Sequence, residues 1–445
     1  MKFESSPARQ AAIRNSTSQS DSTELNRAHG ADGFKVALLT GGADRPYAFG
    51  LALALASHGI KLEVVGNDEL DCPELRSLPC LQFLNLRGNQ DPDASLLTKA
   101  MRVVKYYFRL LRYTAVAQPE VFHILWNNKF EYFDRTILML WYRLSGKRIV
   151  RTLHNVNSRL RDGGDTLMNR ITLRFQYALS DHLFVHTSKM REELIQQFGI
   201  PSKRISVIPF GINNSVPVTN ITPAEARRRL GIDEYEKALL FFGNIAPYKG
   251  LELLTQAFRQ IIHRSTGYRL VIAGRPKNCE EYWNALRRDI AGEIQNGQIM
   301  LREDYIPDEE TEVYFKACDV LVLPYRHIYQ SGVLFLGYSF GLPVLASDVG
   351  SLKDDILEGK TGFVFRPDDP DDLAISIERY FSSHLYNNLA DSRGDIRSYA
   401  EEKHSWTEVT RITTQVYQIL HRHSNDRISP NCCSSANPLD FDSSR

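Results

Sequence analysis

Short apolar runs rich in β-branched and aromatic residues recur along the chain, separated by longer polar stretches that return an apolar residue every three to four positions. The runs fall at 34–40, 61–66, 81–86, 121–126, 148–154, 182–187 and 204–209, and a second series follows at 238–243, 269–274, 299–303, 319–324, 343–347 and 362–365. A short run without polar alternation reads as a strand buried on both faces, and such strands separated by helical period read as parallel strand-helix-strand units. Between the two series, residues 212–237 carry Pro217, Pro223, turn residues and few large apolar groups before a short charged helix. That composition predicts a linker. A last periodic segment, 406–423, sets Trp406, Val409, Ile412, Val416, Ile419 and Leu420 on one face. It predicts a helix that packs back on the first domain.

Five to seven strands per series suffice for a doubly wound sheet. The expected architecture is α/β, with two Rossmann-like domains at 34–211 and 238–405 facing a cleft. The segments 1–33 and 424–445 are rich in Ser, Asn, Asp and Arg without apolar period, and are expected to be disordered tails.

Composition narrows the partners. The 445 residues carry 54 Lys and Arg against 53 Asp and Glu, a net charge of +1. A globally basic nucleic-acid binder is thereby excluded, and any charge asymmetry must be local. Apolar runs such as Leu51–Ala56 and Ile137–Tyr142 fall far below the ~18 residues of a membrane span. The first thirty residues lack the apolar core of a secretion signal, so a cytoplasmic location is expected. Six scattered cysteines show neither disulfide nor metal-ligand spacing, and no metal is expected. One local feature stands out: Arg102, Lys105, Arg109 and Arg112 recur at helical period with aromatic and aliphatic neighbours and no acid. The stripe reads equally as a solvated helix face or as a contact with an anionic membrane surface, which would make the protein peripheral on the inner face of the plasma membrane.

Three loops at strand ends could carry chemistry. Thr40-Gly41-Gly42 joins the first strand to a helix and reads equally as a tight turn or as an anion-binding turn; the residues that follow are not a dinucleotide fingerprint. Phe242 to Gly250 repeats this placement in the second domain, where Lys249 can set an ammonium among phosphate oxygens near a helix N-terminus. It is not a Walker loop. Finally, Leu323 to Val333 leads through a polar loop into a helix, and Gly341 to Ser351 follows with a strand and a glycine loop.

These residues together strongly resemble the GT-B glycosyltransferases, in particular family 4. The resemblance covers 34–423 and rests on Gly243 to Gly250, the strand Leu270–Gly274 with Arg275, Ser331-Gly332-Val333, Gly341-Leu342-Pro343-Val344 and Gly359-Lys360-Thr361-Gly362-Phe363. It implies transfer of a sugar, a hexose above all, from a nucleoside-diphosphate donor in the C-terminal domain to an acceptor held mainly by the N-terminal one, with no resident cofactor. Lys249 matches the family's phosphate-contacting lysine. The family's arginine after the loop's first glycine is Asn244 here, and the two glutamate positions hold Ile328 and Leu336. Gln330, Ser331, Gly332 and Val333 are expected to contact sugar and phosphate instead, with Arg326 or Arg275 restoring charge and Gly41 and Gly42 adding a backbone contact. His154 matches a family histidine near the transfer site, with a packing role as its alternative. Asp44, Glu131, Asp162 and Asp165 are unranked candidates for a base. The resemblance implies a saccharide or lipid-linked acceptor in surface polysaccharide or glycoconjugate biosynthesis. The missing glutamates motivate an alternative, a catalytically silent nucleotide-sugar or glycan-binding subunit; a GT-B epimerase or phosphorylase fits the motifs less well.

Overall fold

The computed structural model describes residues 34–428 apart from 43, 92, 162–163 and 213–215. The candidate base Asp162 and most of both expected tails lie outside the described residues. Each of the thirteen apolar runs forms a strand whose ends fall within two residues of the expectation.

The first sheet comprises β1 (Lys35–Leu39), β2 (Lys61–Gly66), β3 (Leu81–Asn85), β4 (Val121–Ile124), β5 (Arg148–Leu153), β6 (His182–Val185) and β7 (Ile205–Val207), all parallel, in the order β3-β2-β1-β4-β5-β6-β7. The second comprises β8 (Lys237–Phe242), β9 (Tyr268–Ala273), β10 (Ile299–Arg302), β11 (Val320–Leu323), β12 (Val344–Ser347) and β13 (Gly362–Phe365), again parallel, in the order β10-β9-β8-β11-β12-β13. In both, the chain reverses its direction of travel beside the first strand, at β1/β4 and β8/β11. Loops diverge there and leave a crevice at the strands' C-terminal ends.

The helices that matter for function are α1 (Arg45–Ser57), α2 (Leu96–Val116), α3 (Met139–Leu144, entered through a π turn at Asp134–Leu138), α4 (Leu167–Leu179), α5 (Ser188–Phe198), α6 (Leu251–Arg264), α7 (Gly332–Ser339) and α8 (Trp406–Ile428). Right-handed crossovers put α1 on one face of the first sheet and α2 to α5 on the other. Tyr106, Tyr107 and Leu110 of α2 share a core with Phe122, Leu138, Met139 and Tyr142.

Within 212–237, Ile212, Val216, Ile221, Ala226 and Ile232 join the core of the second lobe, and Arg227 pairs with Asp319 at 3.1 Å. Helix α8 returns to the first lobe, where it packs on α1. Its anchor is Trp406, whose ring lies in a slot between two glycines: a Cβ on Gly50 would stand 2.3 Å from the ring and one on Gly211 2.4 Å. Only glycine admits the indole on both sides. Farther along, Tyr417 meets His123 Nδ1 at 2.5 Å, and His123 Nε2 meets the Thr152 hydroxyl at 2.8 Å. The chain therefore passes between lobes twice, near Gly211 and near His404. The two passages are tied, because the Ile212 amide donates to His404 O at 3.1 Å and Trp406 Nε1 donates to Ile212 O at 2.8 Å.

Candidate functional site

Both crevices open into one cleft of about 390 Å³ lined by both lobes. The first lobe supplies Asp44, Pro46 and Tyr47 from the β1–α1 turn. The second supplies Asn244, Tyr248 and Lys249 after β8, and Tyr325, Ile328, Gln330 and Ser331 to Val333 after β11, with Phe210 and Gly211 at the passage between them.

The β8 loop is shaped by backbone geometry. Gly250 has φ of 62° and caps α6, and a Cβ there would fall 2.0 Å from Pro324 O. The loop is thus clamped against the end of β11, which brings Lys249 under the second loop. Lys249 is 6% exposed, and its ammonium lies 5.5 Å from the centre of the Tyr325 ring. An ammonium held in place beside an aromatic face adds fixed positive charge at the cleft. The N-terminus of α7 meets the same space: Ser331 is its cap, and Gly332 and Val333 line the cleft. Free amides at a helix start favour negative charge. Gln330 donates from Nε2 to Asp355 Oδ2 at 3.4 Å, while its buried Oε1 meets no donor among the described residues.

Facing these groups, Asp44 takes φ of 43° and caps α1 by accepting from the Tyr47 amide at 3.4 Å. Asp44 is exposed at the cleft, and partial desolvation by the protein around it raises the carboxyl above its usual range, with the Tyr47 amide opposing the shift.

Six of the ten residues expected to bind donor line the cleft: Asn244, Lys249, Gln330, Ser331, Gly332 and Val333. Four do not. Gly41 packs on Trp126 and Gly42 on the Arg87 side chain. Arg275 stacks over Tyr305 at 5.6 Å. Arg326 is held by Glu252 and, at 2.6 Å, by Asp368. His154 lies one layer behind the wall, stacked on Trp126 at 4.3 Å and meeting the edge of Tyr47 at 4.7 Å. Burial, then the neighbouring His186, His123 and Arg151, push its pKa well below the imidazole range, so it is a neutral ring.

Among the other base candidates, Glu131 pairs with Arg135 and Arg159 at 3.0 and 3.3 Å. Asp165 is held down to about 2 by hydrogen bonds, from Asn169 first. Among the described candidates, only Asp44 lines the cleft. Ile328 and Leu336, at the two expected glutamate positions, also line it and make that stretch of wall apolar. Sequence reading missed Tyr47, Tyr248, Phe210 and Tyr325. Tyr248 adjoins Lys249 and Tyr325 lies within the Leu323 to Val333 loop, but Tyr47 and Phe210 carry no local signal, because the fold brings their segments to the wall.

Two parallel sheets with a cleft at their C-terminal edges, a buried lysine and a helix N-terminus define the GT-B class. The chain belongs to the glycosyltransferases of this fold: residues 24–216 match Glycosyltransferase Family 4 and residues 236–383 match Glycosyl transferases group 1. An uncharacterised glycosyltransferase of Methanocaldococcus jannaschii is 28% identical over 238 residues, 52% of this chain and 58% of that one. The D-inositol 3-phosphate glycosyltransferase of Rhodococcus erythropolis is 22% identical over 402 residues, 86% and 88% of the two chains. The matched region thus spans little more than half of the archaeal relative. Among solved structures, sucrose-phosphate synthase from Thermosynechococcus elongatus superposes with a TM-score of 0.68 at 19% identity, over 87% of this chain and all of that one. Anabaena Alr3699/HepE in complex with UDP and glucose gives 0.66 at 16% identity, over 86% and 99%. At these identities the structures show the fold.

Proposed function

We propose that the chain transfers a sugar from a nucleoside-diphosphate donor to a saccharide or lipid-linked acceptor in the assembly of a surface polysaccharide or glycoconjugate. The observation that carries this reading is the convergence of Lys249 and the α7 N-terminus in one cleft beneath the opposite wall of Asp44 and Tyr47. Relatives of the same fold bound to UDP-glucose support the donor class. In the reaction the bond from the anomeric carbon to the phosphate oxygen breaks as a bond to the acceptor oxygen forms, and negative charge grows on the departing diphosphate. Lys249 and the Gly332 and Val333 amides are fixed where that charge develops, so they stabilise the transition state without reorganising. Gln330 Oε1 is an acceptor for a donor hydroxyl, and Asn244 adds a neutral contact in place of an arginine. Asp44, with its raised pKa, is the carboxylate best placed to take the acceptor's proton. His154 supports Tyr47 from behind.

Release of nucleoside diphosphate from UDP-, GDP- and dTDP-sugars tests this reading. One donor is expected to turn over, and Lys249→Ala to lower kcat/KM by roughly a hundredfold, the usual effect of removing one charge-stabilising group. Ile328 and Leu336 in the cleft wall favour a second reading, a silent binding subunit. Donor binding without turnover in the presence of acceptors would establish it.

A further inference from the structure

The outer surface of the first lobe has an unusual composition. Between residues 95 and 180 the chain carries fifteen Lys and Arg against five Asp and Glu, although its overall charge is +1. Nine of the fifteen bases lie on α2, the π turn with α3, and α4, on one sheet face; Arg135 of these is buried. On α2, Leu97, Met101, Val104 and Phe108 follow each other at helical spacing and are 75%, 48%, 61% and 67% exposed, with Lys105 and Arg112 exposed among them. Beside it, Ile137, Leu140, Trp141 and Leu144 are exposed on the π turn and α3. On α4 the outward residues are Leu167, Met168, Ile171 and Phe175, with Arg170 and Arg174 between. The three elements touch: Trp141 Nε1 donates to Leu111 O at 3.3 Å, and Arg135 donates to Asn169 at 2.7 Å. The inward faces hold the core, so these apolar side chains serve no packing purpose within the lobe.

We propose that the α2–α3–α4 face docks the protein onto an anionic lipid bilayer. A contiguous apolar patch of this extent needs a covering surface. Interleaved bases select the occupant: the core of a protein interface is depleted of lysine, and a nucleic-acid backbone offers nothing to four-residue stripes of Leu, Met, Ile and Phe. Anionic headgroups above acyl chains match both components, with apolar side chains entering the headgroup boundary and Lys and Arg pairing with phosphate. The expected basic stripe of α2 is thus part of a wider surface, to which α4 adds Arg174 and Arg170, the latter paired with Asp165 at 2.6 Å. The inference stands independently of the sugar-transfer reading.

The test is co-sedimentation of the full chain with phosphatidylcholine vesicles, with and without phosphatidylglycerol, alongside donor hydrolysis in solution so that the two readings fail separately. Binding is expected only with phosphatidylglycerol and should weaken as salt rises. Lys105→Gln/Arg112→Gln should weaken it roughly thirtyfold, at about fivefold per charge near the surface. Ile171→Ser/Phe175→Ser on α4 should weaken it at least tenfold, while both variants keep wild-type circular dichroism and donor hydrolysis. No binding to phosphatidylglycerol vesicles, wild-type binding by the α4 variant, or a concentration-dependent dimer abolished by the same substitutions would each overturn the proposal.

Discussion

Asp355 lies beneath the loop that follows β11, 5% exposed, with Gln330 Nε2 at 3.4 Å, Lys403 Nζ at 3.6 Å and His404 Nε2 at 3.5 Å. Desolvation outweighs these neighbours and pushes its pKa up to about 6. An unfolded aspartate titrates near 4. Between those values the folded chain holds the extra proton, so this carboxyl's favourable contribution is full at pH 4 and is lost as pH rises through 6. Asp355→Asn removes the titration. The stability gap between variant and wild type is expected to move in the variant's favour by about 2 to 3 kcal/mol from pH 4 to pH 8, read from urea midpoints; a constant gap would refute the shift. Legibility also divides at this scale. Lys249 and Ser331 to Val333 were visible because a loop's own glycines and the following helix fix where they point. Arg326 was not, since its direction is set by Glu252 and Asp368. His154 was placed correctly at a strand end, but its neighbour Trp126 decides that it faces a ring and not the cleft.

Helix α8 shows how one element joins distant sequence. With Gly50 and Gly211 both against the Trp406 ring, Gly211→Ala forces overpacking and is expected to destabilise by about 1 to 3 kcal/mol. The smaller ring of Trp406→Phe should relieve part of that cost, so the double variant is expected to lose less than the sum of the singles in denaturant midpoints. Strict additivity would show that the slot is not the cause. All thirteen strands were legible because parallel strands buried on both faces leave unbroken apolar runs. The slot was not, because glycines in a helix and in a connecting loop look alike whether or not a ring approaches them. For α2 the pattern located the helix and its charges, but the exposure of Leu97, Met101, Val104 and Phe108 follows from the side the crossover takes.

The molecule as a whole buries several neutral histidines. Desolvation, the first cause in each, lowers His123 to about 3 and His182, His186 and His404 to about 4. Unfolded, they titrate near 6.5. Below that pH the unfolded chain binds more protons, so stability is present at neutral pH and lost as pH falls through 6.5. With the neutral His154 they are expected to take up roughly five protons on unfolding at pH 5, against about one released by Asp355, measured from calorimetric enthalpies in buffers of different ionisation heat. An uptake near zero would mean that they are already charged in the folded state.

Two tied passages between the lobes have a mechanical consequence. A single tether lets one body swivel about its own bonds, whereas two strands fastened side by side bend together and resist twist. A pair fastened in this way, with Ile212 bonded to both His404 and Trp406, resists twist between the lobes more than it resists a change in the gape of the cleft.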